Sequence, residues 1–302
     1  MKLKRNLFSA PLCFVINMVL VYVVYEICRL VFLATNWSVF SEAMTWGAFG
    51  EMLHGGWDFD TSAILYTNAL YALLMLFPIH YKERNWYQNM AKWVFVICNS
   101  ICIIANLVDC VYFKYTTRRT TVTVFSEFRN EKNLGGIFGV EILNHWYLVL
   151  IGIILIAGLW FLYRMPKGKL PVEASRPYQP KRLLTYYGVH LLCLAVFVPF
   201  CVAGMRGGFT TAVRPITISN ANQYVNRPQE AAIVLNTPFS IIRTIDKPVF
   251  VVPDYYTEKQ LNAIYSPIHT PSDTLVKRKK NVVVIIIESF GREYIGGSME
   301  EG

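Results

Sequence analysis

Residues Pro11–Ala34 read PLCFVINMVLVYVVYEICRLVFLA, an apolar run whose only charges are Glu26 and Arg29. A helix rises 1.5 Å per residue, so about 20 apolar residues cross a hydrocarbon core of roughly 30 Å. This stretch is long enough. It outlasts the apolar region of a secretory signal, has no clear small-residue cleavage site, and is followed by more apolar runs, so it reads as a first span rather than a removed leader. Four further stretches qualify or nearly so: Thr61–Pro78, Trp93–Phe113, Trp146–Tyr163 and Leu184–Met205. Five transmembrane helices over residues 1–205 are therefore expected.

Composition agrees. The chain is 54% hydrophobic and only 16% charged, against about 25% charged in ordinary soluble domains, and its mean hydropathy is +0.35. The net charge of +9 does not call for nucleic acid, because basic residues flanking spans set orientation and meet anionic lipid. All seven cysteines (Cys13, Cys28, Cys98, Cys102, Cys110, Cys193 and Cys201) lie in apolar runs. Their spacing gives neither a disulfide framework nor a metal-thiolate site.

Orientation follows from the basic residues. Lys2, Lys4 and Arg5 precede the first span, and residues 35–60 contain no Lys or Arg. The second loop carries Lys82, Arg84 and Lys92; the fourth, Arg164 to Arg182, has six basic residues and one acid. This alternation puts the N-terminus in the cytoplasm and the chain after the fifth span outside a cytoplasmic membrane. The third loop, Lys114 to His145, fits less well, with five basic residues and three acids. Trp37, Trp57, Trp93 and Trp146 suit the interfacial belts.

After residue 205 the composition turns polar. Gly207, Gly208, Pro215, Asn220, Asn222 and Pro228 suggest irregular or extended chain, so 206–280 reads as an external linker. Within it Tyr256–Tyr265 is a short helix candidate, with Thr257 as cap and Glu258 in the first turn. Lys277–Lys280 is a basic run that reads as solvated linker, with anionic lipid headgroups as the functional alternative. Residues 281–302 open with Val282–Ile287, six β-branched residues without alternation. That pattern fits a strand buried on both faces, as in parallel α/β sheets. Glu288 comes directly after it, at the carboxyl edge where open α/β sheets gather ligands. It is a candidate hard-oxygen ligand for Mg²⁺ or Mn²⁺, or else a helix cap or a solvated carboxylate.

The stretch from Asn281 through Val282–Ile287 to Glu288, Ser289 and Phe290 resembles the opening strand of the lipoteichoic acid synthase family, a sulfatase-like branch of the alkaline phosphatase superfamily. Gly56 to Asp60 leading into Ala63 to Asn68 is similar to the start of that family's second span. Asn106 to Asp109, with Tyr112, Phe113, Arg118 and Arg119, resembles the end of its third. Arg206 with its two glycines, and Asn236 to Phe239, resemble its linker. The resemblance implies a five-helix anchor and an external α/β sulfatase-like domain. It implies a metal-dependent transferase of lipid headgroups, phosphoglycerol or phosphoethanolamine, or a related hydrolase. Membrane phospholipid would be the donor, a cell-envelope glycolipid or polymer the acceptor, and Glu288 the first Mn²⁺ or Mg²⁺ ligand. The nucleophilic threonine and the other ligands would lie beyond Gly302, so on this reading the chain is the front of a longer protein and inactive alone. A noncatalytic lipid-binding or scaffold protein is the competing expectation.

Charges within spans form the second signal. Glu26 and Arg29 are three residues apart and share a helix face, and Asn106 lies one turn before Asp109. Such groups are costly in hydrocarbon and face protein or a polar cavity. Glu26, Arg29, Asn106 and Asp109 are therefore expected to form an outer-leaflet polar cluster, either receiving a lipid headgroup or pairing helices. His54, His80 and His145 read as interfacial loop residues, and His190 as bonded to a backbone carbonyl within the fifth span.

Overall fold

The computed structural model describes residues 9–41, 44–79, 82, 84–130, 133–166, 180–208, 214–246, 255–265 and 283–284. The chain divides into two compact units, Met1–Val249 and Phe250–Gly302.

The described residues of the first unit are mostly helical. In chain order it holds α1 (Ser9–Thr35), α2 (Trp37–Phe40), α3 (Trp46–Thr67), α4 (Ala69–Leu76), α5 (Asn85–Thr116), α6 (Val124–Glu127), α7 (Leu134–Asn144), α8 (Trp146–Leu162), α9 (Pro180–Arg206), α10 (Ala231–Val234) and α11 (Thr237–Ile242). Three helices are long and apolar enough to cross a membrane: α1, α5 and, from Leu184, α9. The number rises to five if α3 with α4, bent by 64°, and α7 with α8, bent by 83°, each count as one span. Five spans thus agree with the sequence only when each bent pair is one crossing.

Apolar residues cover both sides of these helices. On α1, Phe14, Val21, Tyr25, Cys28 and Phe32 point inward at helical spacing, while Leu12, Val15, Val19, Val23, Ile27 and Leu30 point outward. A helix apolar all round suits a lipid environment. The interior is the more polar side: Asn17, Arg29, Asp60, Asn68, Asn99, Asn106 and Asp109 are all buried. This build is that of a membrane protein.

α1 lies against α3, α4, α5 and α8, and α9 packs on α3 and α4. Between α3 and α4 the chain bends at Asn68. Its side-chain amide donates to Ile64 O (3.1 Å) and exchanges hydrogen bonds with the amide of Asn99 on α5 at 2.8 and 3.1 Å. The break is therefore held by helix-to-helix hydrogen bonds, which carry most weight where water is absent.

Two sequence expectations change here. The segment before Thr61, read as loop, is the first half of α3. Thr45 caps it by accepting from Ala48 N at 3.2 Å, and its close packing depends on Gly55 and Gly56. A methyl group on Gly55 would overlap the Tyr224 ring, and one on Gly56 would overlap the Arg29 guanidinium. His54 accordingly sits on a helix. The second change concerns the linker. Its first part is not extended and belongs to the helical unit. Gly207, at φ 82°, ends α9 in the left-handed conformation that glycine tolerates. After 3₁₀ turns at Ile218–Tyr224 and Pro228–Glu230, every residue from Ala231 to Ser240 is buried. α10 lies against α1 and α3, and α11 against α3 and α5. Burial of Ile233, Val234, Leu235 and Phe239 drives this return.

In the second unit, the described residues contain one helix, α12 (Glu258–Ile264), at the position expected. Gln260 Oε1 accepts from the Thr257 amide at 3.0 Å and from its hydroxyl at 2.9 Å. Val283 and Val284 are described without regular structure. The rest of the expected strand, and Glu288, lie outside the described residues. No strand occurs among the described residues.

Candidate functional site

The folded-back segment Ala231–Ser240 threads between two buried ion pairs. Arg29 of α1 meets Asp60 of α3 at 2.5 Å, both almost wholly enclosed. Glu26, one turn earlier, approaches Arg29 Nε at 3.4 Å, but its side chain is 29% exposed. The Arg29 guanidinium also donates to Gly56 O (3.2 Å), Val234 O (2.7 Å) and Ile233 O. On the other side, Arg119 meets Asp109 of α5 at 3.3 Å, again buried. It donates from Nε to Ala232 O at 2.7 Å and lies 3.5 Å from the centroid of the Phe32 ring.

Three consecutive carbonyls of α10, at Ala232, Ile233 and Val234, are therefore held by two arginines. Last-turn carbonyls of a helix lack partners within it, and in a dry interior each unpaired one is costly. A guanidinium presents several donors in a fixed fork and can serve a carboxylate and carbonyls together. That geometry is why arginine, rather than lysine, suits both positions.

Asn236 and Thr237 complete the clamp. Asn236 caps α11 by accepting from Phe239 N at 2.8 Å, and its side-chain nitrogen donates to Asp60 Oδ1 at 2.8 Å. Thr237 donates from its amide to Asn106 Oδ1 (3.1 Å) and from its hydroxyl to Asp109 Oδ2 (2.7 Å). Asp109 Oδ1 accepts from the amide and hydroxyl of Thr120 at 3.0 and 2.6 Å. Thr117, left-handed at φ 54°, turns the chain at the end of α5 so that Arg119 folds back on Asp109.

The four residues expected to cluster thus fall into two linked groups. Glu26 and Arg29 do pair, and Asn106 and Asp109 do share a partner, Thr237. Asp109 joins Arg119 rather than the Glu26–Arg29 pair. The dominant partner of Arg29 is Asp60, which the sequence places at a loop edge. Arg119, Asn236 and Thr237 do not stand out in the sequence as site residues either. Their signals are their places in the segments that resemble the family and, for Asn236 and Thr237, the apolar run at Ala231–Leu235 that precedes them.

A cleft of about 460 Å³ opens beside this network, lined by Glu26, Leu30, Leu53, His54 and Trp57. Its volume falls within the usual range for small-ligand sites. The Trp57 indole stacks on Tyr22 at 5.1 Å and 24°. Behind the cleft the His54 ring meets Tyr224 at 6.3 Å, and the Tyr224 hydroxyl donates to Asp58 at 3.0 Å. Burial, with the Asp58 carboxylate beside it, raises the Tyr224 phenol above its ordinary value, so it remains a donor at neutral pH.

The other histidines serve structure. His145 sits at the α7–α8 bend, its Nδ1 3.2 Å from both the backbone and the carboxylate of Glu141. His190 approaches Tyr186 O through Nδ1 at 2.9 Å. His80 lies outside the described residues. Among the described residues, no group of three or more His, Cys, Asp or Glu side chains could hold a metal ion. No protein-family model matches the chain, and neither the curated proteins nor the solved structures contain a match to it.

Proposed function

We propose that this chain is the membrane anchor and the start of the external domain of a metal-dependent lipid-headgroup transferase or sulfatase-like hydrolase. It would act on the outer face of a cytoplasmic membrane, with its N-terminus inside, and modify an envelope glycolipid or polymer. One observation carries the reading. Several of the segments that carry the family resemblance contribute side chains or backbone to one buried polar network: Gly56 and Asp60, Asn106 and Asp109, Arg119, and Asn236 with Thr237. Apolar runs of a generic membrane protein have no reason to bring those segments together. In this reading the clamp fixes where the chain leaves the helices and so positions the external domain, and the Glu26 cleft receives lipid.

Glu288 would be a ligand of the Mn²⁺ or Mg²⁺ ion, which would stabilise charge on the transferring phosphoryl or sulfuryl group. The noncatalytic lipid-binding reading shares the cleft but predicts no turnover. The test is turnover by the protein purified from its native membrane, with vesicles of phosphatidylglycerol or phosphatidylethanolamine and Mn²⁺. Metal-dependent release of diacylglycerol is expected, and Glu288→Gln should abolish it while leaving membrane insertion intact. Binding of lipid without release from either vesicle would overturn the enzyme reading.

A further inference from the structure

The Glu26 cleft has a charge imbalance on its wall. Asp60, at 2.5 Å, already neutralises Arg29. The carboxylate of Glu26 is thus a surplus negative charge, partly exposed on the cleft wall. Leu30, Leu53, His54 and Trp57 supply no permanent cation. Residues 35–60, which carry the α3 side of the cleft, contain no Lys or Arg but do contain Glu42, Glu51, Asp58 and Asp60. Glu26 approaches Arg29 at 3.4 Å, but one guanidinium cannot neutralise two carboxylates.

We propose that this cleft binds a phospholipid with an ammonium headgroup. The ammonium would sit against Glu26 and the face of Trp57, whose indole is held in place by Tyr22. A cation over an indole face is favourable, and tryptophan is the best aromatic partner for it. Leu30 and Leu53 line the apolar part. Leu30 and Trp57 are well exposed on the outer surface of the helices, so an acyl chain reaches the cleft sideways from the bilayer. An anionic headgroup such as phosphoglycerol would meet repulsion from Glu26. The inference rests on the lipid-receiving role given to the cleft above and narrows it to an amine headgroup.

Native mass spectrometry tests it on the intact chain, released at pH 8 from nanodiscs of equal phosphatidylethanolamine and phosphatidylglycerol. The retained lipid should favour phosphatidylethanolamine by roughly fivefold over the bulk ratio, the yield of one exposed cation–π contact plus one partly exposed ion pair. Phosphatidylcholine should replace phosphatidylethanolamine in the same role. Glu26→Gln should bring the ratio close to the bulk value, and Trp57→Leu, which leaves Glu26 and Arg29 in place, should reduce it by about half. No preference in the unaltered chain, a preference for phosphatidylglycerol, or a preference that survives both substitutions would overturn the inference. The readout is binding without turnover, so its failure leaves the enzyme reading standing, and absent turnover leaves the binding result standing.

Discussion

Asp60→Asn removes one negative charge from the most enclosed ion pair and changes little else. Asparagine keeps an oxygen for the bond from Asn236. What it leaves is the Arg29 guanidinium, with 3% of its side chain exposed, facing carbonyls and the partly exposed Glu26 at 3.4 Å. Orphaning a buried charge in this way costs about 3–5 kcal/mol. Glu26→Gln removes the other carboxylate, but that one is 3.4 Å away and 29% exposed, so solvent screening limits its loss to about 0.5 kcal/mol. Adding Arg29→Gln to Asp60→Asn removes the orphaned charge but takes donors from Gly56, Ile233 and Val234, each worth about 1 kcal/mol. The double variant should therefore recover only part of the loss, and the cycle should show a coupling of about 1–3 kcal/mol. Equilibrium unfolding in mixed micelles, titrated with denaturing detergent, reads all four states. Equal losses for Glu26→Gln and Asp60→Asn, or strict additivity in the cycle, would refute the assignment of Asp60 as the main partner of Arg29.

The other predictions use the same unfolding measurement except the last. Gly56→Ala should destabilise by about 1–3 kcal/mol because its methyl overlaps Arg29; Gly47→Ala, with open space around it, should be neutral or gain up to about 1 kcal/mol in helix propensity. Thr237→Val keeps the shape but deprives Asp109 of its 2.7 Å donor, for a loss of about 1–3 kcal/mol; a loss below measurement would remove Thr237 from the clamp. Thr117→Gly should gain up to about 1 kcal/mol by relieving the left-handed backbone at φ 54°, and a loss there would mean the side chain outweighs the strain. Ser272→Cys in a cysteine-free background should react with an impermeant thiol reagent on intact cells, and protection until lysis would contradict an external C-terminal segment.

What the sequence made legible was local. Apolar length located the five runs, residue spacing paired Glu26 with Arg29, and the cap at Thr257 was readable from its type and place. The clamp was not, because its partners are far apart in the chain. Arg29 and Val234 are separated by 205 positions, and no spacing rule reaches that distance. Residues 231–240 also resembled linker: asparagine and proline usually mark irregular exposed chain, yet here Asn236 caps a buried turn and Pro238 sits in that turn's first residues. The glycines misled in the same way. Gly55 and Gly56 weaken a helix by propensity, but close approach of Tyr224 and Arg29 requires them.

The same separation orders events during synthesis. A ribosome adds about 5–20 residues per second, so the 205 positions from Arg29 to Val234 correspond to a wait of about 10–40 s. For that interval α1 resides in the bilayer without the carbonyls that later satisfy its arginine, and the backbone of residues 232–234 arrives last. The helical bundle is thus an unfinished intermediate until the chain past its fifth apolar run has been made. Its final closure is a late step dominated by distant contacts, the kind that loop entropy makes slow. Nascent chains arrested before residue 231 should remain open to quality-control proteases that the finished unit resists.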